Sequence, residues 1–143
     1  MREEKLQKVF WQDFLLDLNE LLNKIRRSRV KPTHIYGIPR GGLIPAVILS
    51  HFLEIPLIDK EQLQQLKGGV RLLIIDDVSD EGKSLMAITA KLKCDYLTMV
   101  LYVKSLSLFR PDFFLHDIDS DVWIKFPWEK STRANERKVK IRK

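Results

Sequence analysis

At 143 residues, with 45% hydrophobic side chains and a net charge of +6, the chain is long enough for one sizeable core and short for two, so a single domain is expected. Its single cysteine, Cys94, rules out an internal disulfide and suits a reducing compartment. The charged start Met1-Arg2-Glu3-Glu4-Lys5, with no long apolar run after it, is read as neither signal peptide nor membrane span, so a soluble, cytoplasmic protein is expected.

Taken in order, Leu6, Val9, Phe10, Phe14, Leu15, Leu18, Leu21, Leu22 and Ile25 recur at helical spacing between charges, which predicts an amphipathic helix of about six turns. Arg26, Arg27, Arg29 and Lys31 end it, and Pro32 bars its continuation. Thr33–Tyr36 reads as a short buried strand, with His34 a packed histidine rather than a catalytic one. Gly37-Ile38-Pro39-Arg40-Gly41-Gly42 follows as a loop, then a helix over Leu43–Leu53. Ile55–Ile58 is the next strand, and Lys60–Lys67 a short polar helix or loop closed by Gly68-Gly69. Val70–Asp77 is a continuous run of Val, Leu and Ile ending in two carboxylates, as in a strand buried on both faces of a parallel sheet. A helix is expected over residues 84 to 93, and another apolar strand over Tyr96–Val103, ending at Lys104. The charge excess gathers in residues 130 to 143, where seven cations stand against Glu136, while the rest of the chain carries eighteen charges of each sign. A solvated basic tail is expected, with nucleic-acid binding the lesser reading.

Open α/β sheets bind ligands beyond the carboxyl ends of their strands. Asp76, Asp77 and Asp80 lie at such an end, and the amides from Asp80 to Ser84 lead into a helix, so hydroxyl acceptors stand beside an anion site. A ligand with hydroxyls at one end and phosphate at the other, such as a sugar phosphate, suits that pair. Gly82-Lys83-Ser84 resembles the end of a Walker A loop, but Asp77 stands where that motif needs glycine, so the P-loop reading is rejected. In the earlier loop, Gly41 and Gly42 let backbone approach a ligand and Arg40 offers a charged fork suited to phosphate.

Ile74-Ile75-Asp76-Asp77-Val78-Ser79-Asp80-Glu81-Gly82-Lys83-Ser84 resembles the phosphoribosyl-diphosphate signature of the type I phosphoribosyltransferases, with Glu81 where threonine is usual. Arg40-Gly41-Gly42-Leu43-Ile44-Pro45 resembles the pyrophosphate loop of the xanthine-guanine members. The spacing of Lys104 and Trp123, and the string Trp123-Ile124-Lys125-Phe126-Pro127-Trp128-Glu129, resemble their base-binding segment. The resemblance implies a doubly wound, mostly parallel α/β sheet with a small C-terminal hood, drawn as a single domain over residues 1–129 with the hood mainly in 104–129.

It also implies transfer of a phosphoribosyl group from phosphoribosyl diphosphate to a 6-oxopurine, with Mg2+ as cofactor. Asp76 and Asp77 would hold the ribose and metal, residues Asp80, Glu81, Gly82, Lys83 and Ser84 the phosphate, and Pro39, Arg40, Gly41 and Gly42 the pyrophosphate across a cis Pro39–Arg40 bond. Asp80 would be the general base, and Lys104, Trp123, Ile124 and Glu129 would bind the purine. A homo-oligomer, dimer or tetramer, with no membrane partner is implied. The family's long lid, often with a Ser-Tyr pair, has no counterpart in residues 59 to 71. Together with Glu81, this leaves open a relative that binds nucleotide or phosphoribosyl diphosphate as a regulator, with nucleic acid possible through the tail.

Overall fold

The computed structural model describes residues 5–130, so the basic tail beyond Lys130 lies outside the described residues. In chain order the elements are β1 (Lys5–Lys8), α1 (Trp11–Arg27), β2 (His34–Gly37), α2 (Leu43–Leu53), α3 (Lys60–Gln65), β3 (Arg71–Ser79), α4 (Lys83–Thr89), β4 (Asp95–Lys104), β5 (His116–Ile118) and β6 (Val122–Lys125). The described residues fall into two compact units, one holding 5–16 and 121–130, the other Asp17–Ser120. Among the described residues no helix is long and apolar enough to cross a membrane.

In the larger unit β2, β3, β4 and β5 lie in that order in one all-parallel sheet. The apolar runs explain why: Ile35, Leu72, Leu73, Ile74, Val100 and Val103 are fully buried, and each contributes about 1.5–3 kcal/mol by leaving water. On its other edge Ile35 meets the chain at Leu57, donating to the Pro56 carbonyl and accepting from the Ile58 N–H at 3.0 and 2.9 Å. The chain therefore leaves β2 through α2, returns on one side of it, then crosses back to β3 on the other side. That reversal makes the gap between the ends of β2 and β3 a topological switch point.

The helices are set by local chemistry. α2 is apolar on both faces and packs Pro45, Ala46 and Leu49 inward, against β2 and β3. α3 begins at a capping box, in which the Asp59 carboxylate accepts from the Gln62 N–H while the Gln62 side chain accepts from the Asp59 N–H. At the end of α1, Lys31 Nζ donates to the carbonyls of Ile25 and Arg26, satisfying acceptors that the helix cannot.

The smaller unit differs from expectation. Residues Lys5–Lys8 are not the first turn of a helix but a strand, paired in parallel with β6 so that Leu6 faces Trp123 and Lys8 faces Lys125. Two forces move the boundary. The backbone of β6 offers a ladder that the local pattern cannot reveal, and Asp13 accepts the Phe10 N–H at 2.9 Å, which starts α1 at Trp11. Trp11, Phe14 and Phe126 all pack on Trp128, with ring centroids 4.8–6.0 Å apart. Two other boundaries shift. Ile55–Ile58 makes only the single bridge at Leu57, and α4 stops at Thr89 rather than running to Lys93. There the Thr89 hydroxyl bonds back to the Leu85 carbonyl, and the Lys91 and Leu92 N–H groups reach three residues back, tightening the last turn.

Candidate active site

Two loops meet at the switch point, Gly37–Gly42 after β2 and the turn from Asp76 to Ser84 after β3. The first continues alongside its neighbour, since the Ile38 N–H donates to the Ile75 carbonyl at 2.8 Å. It then passes so close to the acidic pair that a Cβ on Gly41 would sit 2.0 Å from Asp77 Oδ2. Only glycine permits that approach. The Pro39–Arg40 peptide bond is cis, as the resemblance implied, and Arg40 is exposed.

Asp76 and Asp77 are both half-buried, and their carboxylates are tied to backbone. Asp76 Oδ1 accepts from the Asp77 N–H at 2.9 Å, and Asp77 Oδ1 from the Val78 N–H at 2.8 Å. Burial first, and then the charge and side chain of Asp77, push the Asp76 carboxyl up to about 8, against the opposing pull of the Asp77 N–H. A carboxyl raised in the folded state favours folding below its ordinary range and loses that contribution as pH rises toward 8. Asp76→Asn keeps the acceptor and removes the charge. In metal-free buffer it should raise the urea midpoint at pH 9, by an amount equivalent to on the order of 2 kcal/mol of unfolding free energy, and by progressively less toward pH 5. Equal midpoints at pH 9 would show that the carboxylate carries no such strain.

Beyond the pair lies a hollow of about 180 Å³ lined by Asp76 and by residues 78 to 85. Gly82 opens α4 with φ 88°, and no side chain caps the helix. Its α-carbon backs onto Phe109, whose Cβ would lie 2.7 Å from any added methyl. Glu81, the departure from the family pattern, turns to Lys83, with 3.0 Å between carboxylate and ammonium and both side chains exposed. Sequence reasoning passed over the segment that braces this turn. Ser107 Oγ lies 2.8 Å from Ser79 Oγ, and the Leu108 N–H donates to the Glu81 carbonyl at 3.0 Å. Nothing in Ser105–Phe109 marks it, because the contacts join distant parts of the chain.

Lys104, at the end of β4, is only 6% exposed, and its ammonium lies 3.4 Å from Asp80. Thus Asp76, Asp77, Asp80, the turn to Ser84, the Pro39–Gly42 loop and Lys104 all belong to the larger unit. Trp123, Ile124 and Glu129 belong to the smaller one. Ile124 is buried and Trp123 half-buried, and Glu129 Oε1 accepts the Phe126 N–H at 2.8 Å, closing the turn that carries Trp128.

No protein-family model matches the chain. It is 31% identical over 114 residues to a xanthine-guanine phosphoribosyltransferase from Idiomarina loihiensis, spanning 66% of this chain and 70% of that one. The fold resembles a purine phosphoribosyltransferase from Pyrococcus horikoshii, with a TM-score of 0.75, 29% identity, and 89% and 96% of the two chains covered. It also resembles the xanthine-guanine-hypoxanthine enzyme of Helicobacter pylori in fold, with a TM-score of 0.74, 21% identity, and coverage of 94% and 99%. With a parallel sheet that reverses at an acidic strand end, and a relative of that identity and length, the chain belongs to the type I phosphoribosyltransferase family, alongside its purine-acting members.

Proposed function

We propose that the protein transfers the 5-phosphoribosyl group from phosphoribosyl diphosphate to a 6-oxopurine, guanine, xanthine or hypoxanthine, and releases pyrophosphate. The observation that carries the choice of base is the buried Lys104 ammonium 3.4 Å from the Asp80 carboxylate. A 6-oxopurine presents a carbonyl oxygen next to N7–H, so a cationic donor beside a proton acceptor matches it on both atoms. Adenine would turn its amino donor toward the ammonium. In this reading Asp80 takes the N7 proton as general base while N9 attacks the ribose carbon, and Lys104 holds the carbonyl. Asp76 and Asp77 accept from the ribose hydroxyls. The amides from Asp80 to Ser84 take the 5-phosphate, and Arg40 with the Pro39–Gly42 backbone takes the pyrophosphate. Trp123, Ile124 and Glu129 of the smaller unit are the residues that the family resemblance assigns to the base.

The donor set suits magnesium. No cluster of three or more potential ligands exists among the described residues, and magnesium is commonly held by one or two carboxylates with waters and substrate phosphates. Asp76 and Asp77 would hold it, and when bound it would offset the charge of the departing diphosphate. A cytoplasmic dimer or tetramer completes the reading. The apolar outer face of α2, where Val47 is 42% and Phe52 58% exposed, supports association of copies.

A product assay with phosphoribosyl diphosphate, magnesium and each of guanine, xanthine, hypoxanthine, adenine and uracil tests the proposal. Nucleotide from the first three is expected, and product from adenine or uracil alone would overturn it. Lys104→Ala should raise the KM for the purine about tenfold or more and leave the Kd for phosphoribosyl diphosphate unchanged. Equal loss of both would make Lys104 structural. Glu81→Thr should tighten phosphoribosyl diphosphate only about threefold, because an exposed carboxylate already paired with Lys83 is well screened. Should that substitution create activity where the natural chain has none, the protein is a binder rather than a transferase.

A further inference from the structure

A second cavity, of about 460 Å³, lies between α3 and α4 at the end of β2, and shares only Ser84 with the phosphate hollow. Its size falls in the range of small-molecule sites. Leu63 of α3, Ile88 of α4 and Leu92 after it are in its lining, and the walls are mostly apolar. Three lysines, Lys60, Lys91 and Lys93, stand around it and no acidic side chain lines it. None of the three has an ion-pair partner among the described residues.

The decisive group is Tyr36. It lines the cavity and is only 6% exposed, yet its hydroxyl has no hydrogen-bond partner among the described residues. That hydroxyl is not among the buried atoms left without a partner, so it reaches the solvent of the cavity, where a ligand's polar atom can meet it. The cavity is also lined by Pro39 of the pyrophosphate loop, so an occupant would touch the reacting centre from behind.

We propose that this cavity is a binding site for a small organic anion with a flat apolar body, such as an aryl phosphate or carboxylate. The ring would lie between Leu63 and Ile88, a polar ring atom would meet the Tyr36 hydroxyl, and the anion would face the lysines. The proposal does not depend on the transfer reaction, since binding is measured without turnover.

The test is a titration of the protein with 1-naphthyl phosphate, followed by amide resonances in two-dimensional NMR, with and without saturating phosphoribosyl diphosphate. Expected is sub-millimolar binding that shifts the amides of Tyr36, Leu63 to Leu66 and Ala87 to Leu92, and that phosphoribosyl diphosphate does not displace. Tyr36→Phe, which keeps the ring, should weaken it about fivefold, and Ala87→Trp, at an exposed position on the cavity wall, should abolish it. Shifts confined to residues 79 to 84 and lost on adding phosphoribosyl diphosphate or inorganic phosphate would overturn the proposal. So would undiminished binding by both variants.

Discussion

Replacing Asp80 by asparagine should cut turnover about a hundredfold or more while leaving nucleotide affinity within a factor of three. The amide is nearly isosteric, and its oxygen can still accept from the Lys104 ammonium, which lies 3.4 Å from the carboxylate. What it cannot do is take a proton, and a positioned general base commonly contributes 10²–10⁴-fold. The side chain is 63% exposed, so little packing is disturbed and the fold should be retained. Steady-state kcat beside a calorimetric Kd for the product nucleotide separates chemistry from binding. An unchanged kcat would remove Asp80 from the reaction, and a parallel loss of affinity would make it a phosphate-loop residue only.

Gly41→Ala should cost turnover a similar factor by a different route. The added methyl would lie 2.0 Å from Asp77 Oδ2 and 2.6 Å from its carboxyl carbon, so the carboxylate must move. Its other oxygen is held by the Val78 N–H at 2.8 Å, so it cannot turn away without breaking that bond. A displacement of about 1 Å in a group that positions substrate can cost about a hundredfold. Overpacking adds about 1–3 kcal/mol of destabilisation, so Tm should fall by several degrees with the fold intact. Gly68→Ala is the control, because nothing lies within 4 Å of its added methyl, and it should leave kcat unchanged. Full activity in Gly41→Ala would mean that Asp77 is not where the ribose is held.

The features legible in the chain were those that local chemistry decides. The apolar run into Asp76 and Asp77 specifies a buried parallel strand, and the stretch Leu43–Leu53 specifies a helix that the structure reproduces residue for residue. The acidic pair and the glycine loop point to one crevice because strand ends share an edge. What stayed hidden was non-local. Leu6 fits a helical period, and only the backbone of Val122–Lys125 makes its neighbourhood a strand. The brace of Ser107 and Leu108 on the phosphate turn, and the contact of Gly41 with Asp77, likewise have no periodic signature.

The pairing of β1 with β6 also sets an order of assembly. Lys8 finds its partner only at Lys125, so a chain emerging from the ribosome carries an unpaired strand until Lys125 has been made. Everything needed for the sheet between β2 and β5 is available earlier, and its contacts close shorter loops. The smaller unit is therefore the late one. While it waits, Leu6, Phe10 and Trp11 stand beside open backbone, a combination that invites pairing with the wrong chain.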